Sequence, residues 1–165
     1  MDDFLTGYYG SAGKIIGEYN DFLQKMMIKS GQKLLIYDTP LLEKNSFLTD
    51  SLLTEYSKIF DRAEKAVAGS PELLERVRVA RLPVSYAILE IARDEKTGKR
   101  GAFMTGEGNK LVPKPEIVNM LYDFVHLCVQ KKVSHVREGR VTPQQYLDAY
   151  TKFLADPSAK WTIPI

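Results

Sequence analysis

The side chains of this sequence that bind metal through nitrogen or sulfur are His126, Cys128 and His135. His126 and Cys128 are two apart in a segment of helical periodicity, and residues two apart on a helix point to different sides. That spacing does not build the tetrahedral four-ligand site that zinc requires. Cys128 shares the apolar face of Ile117, Leu121 and Phe124, where a thiol is inert rather than nucleophilic. Gly98, Gly101, Gly106 and Gly108 suggest a phosphate-binding loop, but the run GAFMTGEGNK lacks the Gly-Lys-Ser/Thr ending and no helix opens directly behind it. A flexible turn accounts for those glycines. No two carboxylates stand out as an acid/base pair across a cleft. The expectation is therefore a chain that is not an enzyme, with no catalytic, cofactor-binding or metal-binding residue.

Two groups of residues remain as ligand or interface candidates. Arg81 lies in the most apolar part of its helix, so it needs an acidic or carbonyl partner, and a structural role is the simpler reading. Among the charged residues around it, Glu72–Arg76 and Glu75–Arg78 have the spacing of surface ion pairs, worth a few tenths of a kcal/mol each. The aromatic residues Phe4, Tyr8, Tyr9, Tyr19, Tyr37 and Trp161 are of the kind that stacks on sugar C–H faces, although core packing claims most tyrosines of this kind. Tyr8, Tyr9, Arg81 and Trp161 are the positions singled out for a ligand or a domain interface.

The elements that must position them follow from periodicity. The chain is organised around residues 70–93. Ser70 is placed as N-cap, Pro71 at the first helical position and Glu72 at the positive helix end. Leu73, Val77, Ala80, Val84, Ala87 and Ile91 recur at helical spacing, and Leu74, Leu82, Tyr86 and Leu89 widen the apolar surface. Such a helix is expected to be a buried central post, kinked at Pro83, with Leu82 and Ala80 in its core. Further helices are predicted near residues 11–30, 50–68, 115–132 and 143–155. Thr49 or Asp50 caps the second, Gly69 closes it against Ser70 in an antiparallel hairpin, and Thr142-Pro143-Gln144-Gln145 forms a capping box. Residues 33–38 read as an extended connector, and residues 94–113 as a long Gly-rich loop or ragged hairpin. The predicted fold is all-α: a single domain over residues 1–165, a bundle of about five main helices with the long loop between the third and fourth.

Composition sets outer bounds. With 44% apolar and 27% charged residues the chain has ordinary globular composition, and a formal net charge of +2 gives no general pull toward nucleic acid or anionic membrane. No apolar run reaches membrane-spanning length, and a lone cysteine excludes an internal disulfide. The opening MDDFLTGYYG is acidic and aromatic, unlike a signal peptide, so cytoplasmic residence or a targeting signal lying elsewhere is expected.

Two strings carry a resemblance: FLTGYYGSAGKIIGEY at residues 4–19 and ERVRVARLPVSYAILE at residues 75–90. Together they resemble the helical C-terminal region of large bacterial proteins of unknown function that carry a glycoside-hydrolase-like barrel, akin to the α-glucuronidases, ahead of the helices. The resemblance runs from Asp2 into the fifth helix. Its most specific parts are F-L-x-G-Y-Y-G and R-V-x-x-A-R-L-P, neither of which is a catalytic signature. It implies a fragment or relative of the C-terminal part of a larger protein, acting as a non-catalytic accessory domain that packs on a barrel and shapes its sugar site. It also implies a periplasmic or cell-surface location. The partner would be the upstream barrel, with glycan as a further ligand. The alternative is a free-standing helical module that binds a protein or peptide. In either case Phe4 and one of the two tyrosines are expected to fold against the central helix near Arg81, ahead of the first helix, with the other tyrosine accessible; on the accessory-domain reading that open face marks the junction with the barrel and a bare apolar patch surrounds it.

Overall fold

The computed structural model describes residues 2–33, 38–137 and 141–161. The fold is all-α apart from one short ribbon. The helices are α1 (Asp2–Tyr9), α2 (Gly13–Ser30), α3 (Asp50–Ala66), α4 (Pro71–Glu95), α5 (Pro115–Gln130) and α6 (Pro143–Ala155), and strands β1 (Phe103–Thr105) and β2 (Leu111–Pro113) lie between α4 and α5. The cap residues act as their types require. The Thr49 hydroxyl accepts from the Leu52 amide (3.3 Å), and Thr142 and Gln145 cap each other reciprocally. Residues 34–37, with Tyr37 and most of the expected connector, lie outside the described residues.

The chain divides into two compact units, residues 1–87 and 88–165, and α4 contributes to both. In the first unit α1 packs on α2, and α2 on α3. Its core gathers Leu5, Ala12, Ile16, Tyr19, Tyr56, Phe60, Ala63 and Val77. Tyr19 meets Tyr56 edge-on at 5.6 Å and Phe60 at 4.7 Å, so one of the sugar-stacking candidates is core. Arg81 pairs with Asp61 and Glu64, and Arg78 with Glu64. Partner numbers fall on α3 as they rise on α4, as in the expected antiparallel hairpin.

The second unit is built from the end of α4, the β1–β2 ribbon, α5 and α6. Leu89, Ile91, Ala92, Phe103, Leu121, Phe124, Cys128, Tyr146, Tyr150 and Phe153 fill it. The Gly-rich segment is more ordered than a loop. Its two strands pair antiparallel with Met104 opposite Val112, and a short 3₁₀ turn (Glu107–Asn109) joins them. Lys114 fastens the base by donating to the carbonyls of Gly98 (2.6 Å) and Lys99 (3.1 Å).

One expectation about α4 needs correction. Leu82 and Ala80 are only half-buried; full burial falls at Val77, Val84, Ala87 and Leu89–Ala92. An apolar surface wide enough to suggest burial all round is shared here between half-covered and covered sides. The helix runs on through Pro83, which is exposed, so the hydrogen bond that proline cannot make is lost on the solvent side. Leu89→Ala should therefore destabilise the protein by about 2–5 kcal/mol, and Leu82→Ala by roughly 1 kcal/mol, in urea titrations followed by circular dichroism. Equal losses would put the core of α4 elsewhere.

Candidate functional site

The first turn of the chain decides where the aromatic candidates point. Phe4, Tyr8 and Tyr9 do not precede the first helix; they belong to α1. A sharp turn follows, with Gly10 at φ +58, a conformation L side chains rarely adopt, and α2 begins at Gly13. A Cβ at Gly13 would stand 2.5 Å from the Leu5 carbonyl oxygen, so only glycine lets α1 lie this close on α2. Leu5 is thereby buried, and the remaining residues from Asp3 to Tyr8 face out. Phe4 is 66% exposed and Tyr8 42% exposed.

That outer side corrects the expectation of a buried Phe4 beside Arg81. The Phe4 and Tyr8 rings lie 5.7 Å apart and nearly parallel, and Tyr9 meets Tyr8 edge-on at 4.8 Å. The cation at hand is Arg76. Its guanidinium sits 4.6 Å from the Tyr8 ring centre, donates to the Tyr8 carbonyl (2.7 Å) and pairs with Glu72. Tyr9 is the half-buried ring of the three; burial, and after it the neighbouring Tyr8, raises its phenol above the ordinary tyrosine pKa. Gly7 lies between Phe4 and Tyr8 in sequence and beside their stacked rings on the helix surface. It is helical with ordinary φ, and a Cβ there would meet nothing within 4 Å.

Arg81 is placed differently. It donates to Asp61 (2.7 Å) and Glu64 (2.9 Å) and is mostly covered. Burial opposes its charge, but the hydrogen bonds and charges of Glu64 and Asp61 outweigh that and hold its pKa above the ordinary value. The expected acidic partner is present twice over. Trp161 belongs to the second unit, half-buried against Tyr146, Tyr150 and Phe153, with the Arg93 guanidinium 4.1 Å from its ring. In the first unit Tyr8 and Tyr9 share the α1 surface and Arg81 is bound to carboxylates, and in the second Trp161 is packed against aromatic rings.

The Glu72–Arg76 ion pair is present as expected, but sequence reasoning passed over the contact of Arg76 with Tyr8, the helical Gly7 and, in the second unit, Glu90 and Arg93. Glu90 is 2% exposed, receives the Tyr146 hydroxyl (3.0 Å) and pairs with Arg93 at 2.8 Å. Among the described residues no three His, Cys, Asp or Glu side chains gather to hold a metal ion. His126 is exposed, while Cys128 is buried and its thiol is pushed up to about 11. No helix among the described residues is long and apolar enough to cross a membrane. Compared with known proteins, the chain matches no family model, no curated protein and no solved structure.

Three outcomes follow. Phe4→Ala and Tyr8→Ala should each change folding stability by no more than about 1 kcal/mol, while Gly13→Ala should cost about 1–3 kcal/mol or more by overpacking against backbone. Thermal melts of the three variants compare them directly, and a large loss at Phe4 would mean that its ring is core. At pH 8 the Cys128 thiol, pushed up by burial, should react with a disulfide reagent roughly 100-fold more slowly in the native protein than in urea. Equal rates would place the thiol at the surface.

Proposed function

We propose that this chain is a non-catalytic helical binding module that docks on a partner polypeptide through the outer side of α1. The observation that carries the reading is Gly7. Glycine inside a helix costs about 1 kcal/mol relative to alanine. Here neither a left-handed conformation nor a crowded neighbour requires it. A glycine without an intramolecular reason, exposed beside two stacked rings, suits the close approach of another backbone. Phe4 and Tyr8 supply rigid aromatic contact area, and Arg76 with Glu72 supplies a polar border, the composition favoured at interface centres and rims.

The resemblance of residues 4–19 and 75–90 gives this reading its specific form. In that form the partner is a glycoside-hydrolase-like barrel, the module is its accessory domain, and glycan reaches the module only where it borders the barrel's sugar site. A periplasmic or cell-surface location belongs to the same proposal. In the alternative form the module is free-standing and its partner is a separate protein or peptide. Both forms use the same residues.

A photo-reactive benzophenone side chain in place of Tyr8, compared in the producing cells with the same probe in place of Tyr122, tests the shared claim. Tyr122 is an exposed aromatic residue on α5 and serves as the control surface. One discrete adduct at position 8 and none at position 122 is expected; identical patterns would refute the docking surface. The purified chain is further expected to release no nitrophenol from a panel of aryl glycosides. Turnover abolished by a single carboxylate substitution would refute the non-catalytic reading.

A further inference from the structure

In the second unit, the segment that follows α6 returns across the end of α4. Asp156 starts a turn by accepting from the Ser158 amide (2.9 Å) and hydroxyl (2.6 Å), and the Ala159 amide donates to the Asp156 carbonyl (2.9 Å). Lys96 donates to the Pro157 carbonyl at 2.8 Å. The segment then delivers Trp161 onto the Arg93 guanidinium, against the edges of Tyr146, Tyr150 and Phe153. Beneath Trp161 lies the buried Glu90–Arg93 pair, closed from the other side by the Tyr146 hydroxyl.

The two sides of this contact are unequal. Arg93 is fixed by Glu90 and carried on a long helix, and the three rings are carried on α6, two of them almost fully buried. Trp161, by contrast, is held by its own ring and by a few hydrogen bonds at exposed positions. A segment with few buried contacts beside a rigid helical frame opens at lower free energy than the frame unfolds. The contact also has the form of a recognition site: a cation with its charge already balanced, lying under an aromatic face.

We propose that residues 156–161 are a strap that opens without unfolding the helices, and that Arg93 with Tyr146, Tyr150 and Phe153 forms a socket for an aromatic side chain, filled in the closed state by the chain's own Trp161. A short tether gives Trp161 a high effective concentration, so the closed state dominates until the strap is released or outcompeted. This inference is independent of the α1 docking surface.

Trp161 is the sole tryptophan, so its emission reports the strap alone. In a urea titration of the intact protein, Trp161 emission should move to the red at lower urea than the loss of far-ultraviolet circular dichroism. Coincident transitions would show that the strap is part of the core and overturn the proposal. The second measurement adds the hexapeptide Asp-Pro-Ser-Ala-Lys-Trp to the Trp161→Ala chain, where all tryptophan emission comes from the peptide. A helical, cooperatively melting variant that binds the peptide saturably, with a blue shift of its emission, is expected. A folded variant with no saturable shift, or a variant that fails to fold, would overturn the socket and the separate opening of the strap respectively.

Discussion

The close approach of α1 to α2 at Gly13 is the constraint on which the candidate surface depends. One missing methyl group lets the Leu5 carbonyl stand where a side chain would otherwise begin. Leu5 is buried on that contact, while Phe4 beside it and Tyr8 about one turn on stay exposed at its border. The turn at Gly10 supports the same placement, since a Cβ there would come within 2.7 Å of Leu73 on α4. The glycines of the FLTGYYGSAG string thus divide by purpose: Gly10 and Gly13 serve the fold, and Gly7 does not.

Electrostatics is handled differently in the two units. In the first, Arg81 shares Asp61 and Glu64 near the surface, where the carboxylates remain partly hydrated and the desolvation cost is modest. In the second, Glu90 is almost wholly removed from water. Such a pair costs several kcal/mol to desolvate and persists only where its hydrogen bonds are satisfied, which Arg93 and Tyr146 accomplish together. Burial works against the Arg93 charge as it does against Arg81, and Glu90 more than compensates, leaving the guanidinium held above its ordinary pKa. Tyr150 is raised as well, first by burial and then by Glu90, so its hydroxyl stays a donor to the Leu89 carbonyl. Losing either charge would leave the other buried without a partner.

Most of the helical framework was legible because its punctuation is chemical. Thr49, Ser70-Pro71, Lys114-Pro115 and Thr142-Pro143 each mark a helix start with a residue type that satisfies or removes an orphan amide. The need for an acidic partner at Arg81 was legible for the same reason, since an arginine in an apolar stretch requires one. The α1 helix was not, because Gly7 and adjacent aromatic rings imitate a turn when only local propensity is weighed. Nor was the pairing of Glu90, although an acid inside the apolar run from Tyr86 to Ile91, with arginine three residues on, carries that signal. The strands at Phe103 and Leu111 are three residues each, too short for alternation to show. The exposure of Phe4 depends on which side of α1 meets α2, and that is a tertiary fact.

The central claim is that the outer side of α1 is kept for a partner rather than for the fold. If so, Gly7 is a local cost to the isolated chain, and alanine should remove it. The most direct measurement is the stability of Gly7→Ala by thermal and urea unfolding. The account predicts a gain of about 1 kcal/mol, a rise in melting temperature of roughly 2–4 °C for a protein of this size. A loss of stability would show that Gly7 serves the chain's own packing, and would contradict the account.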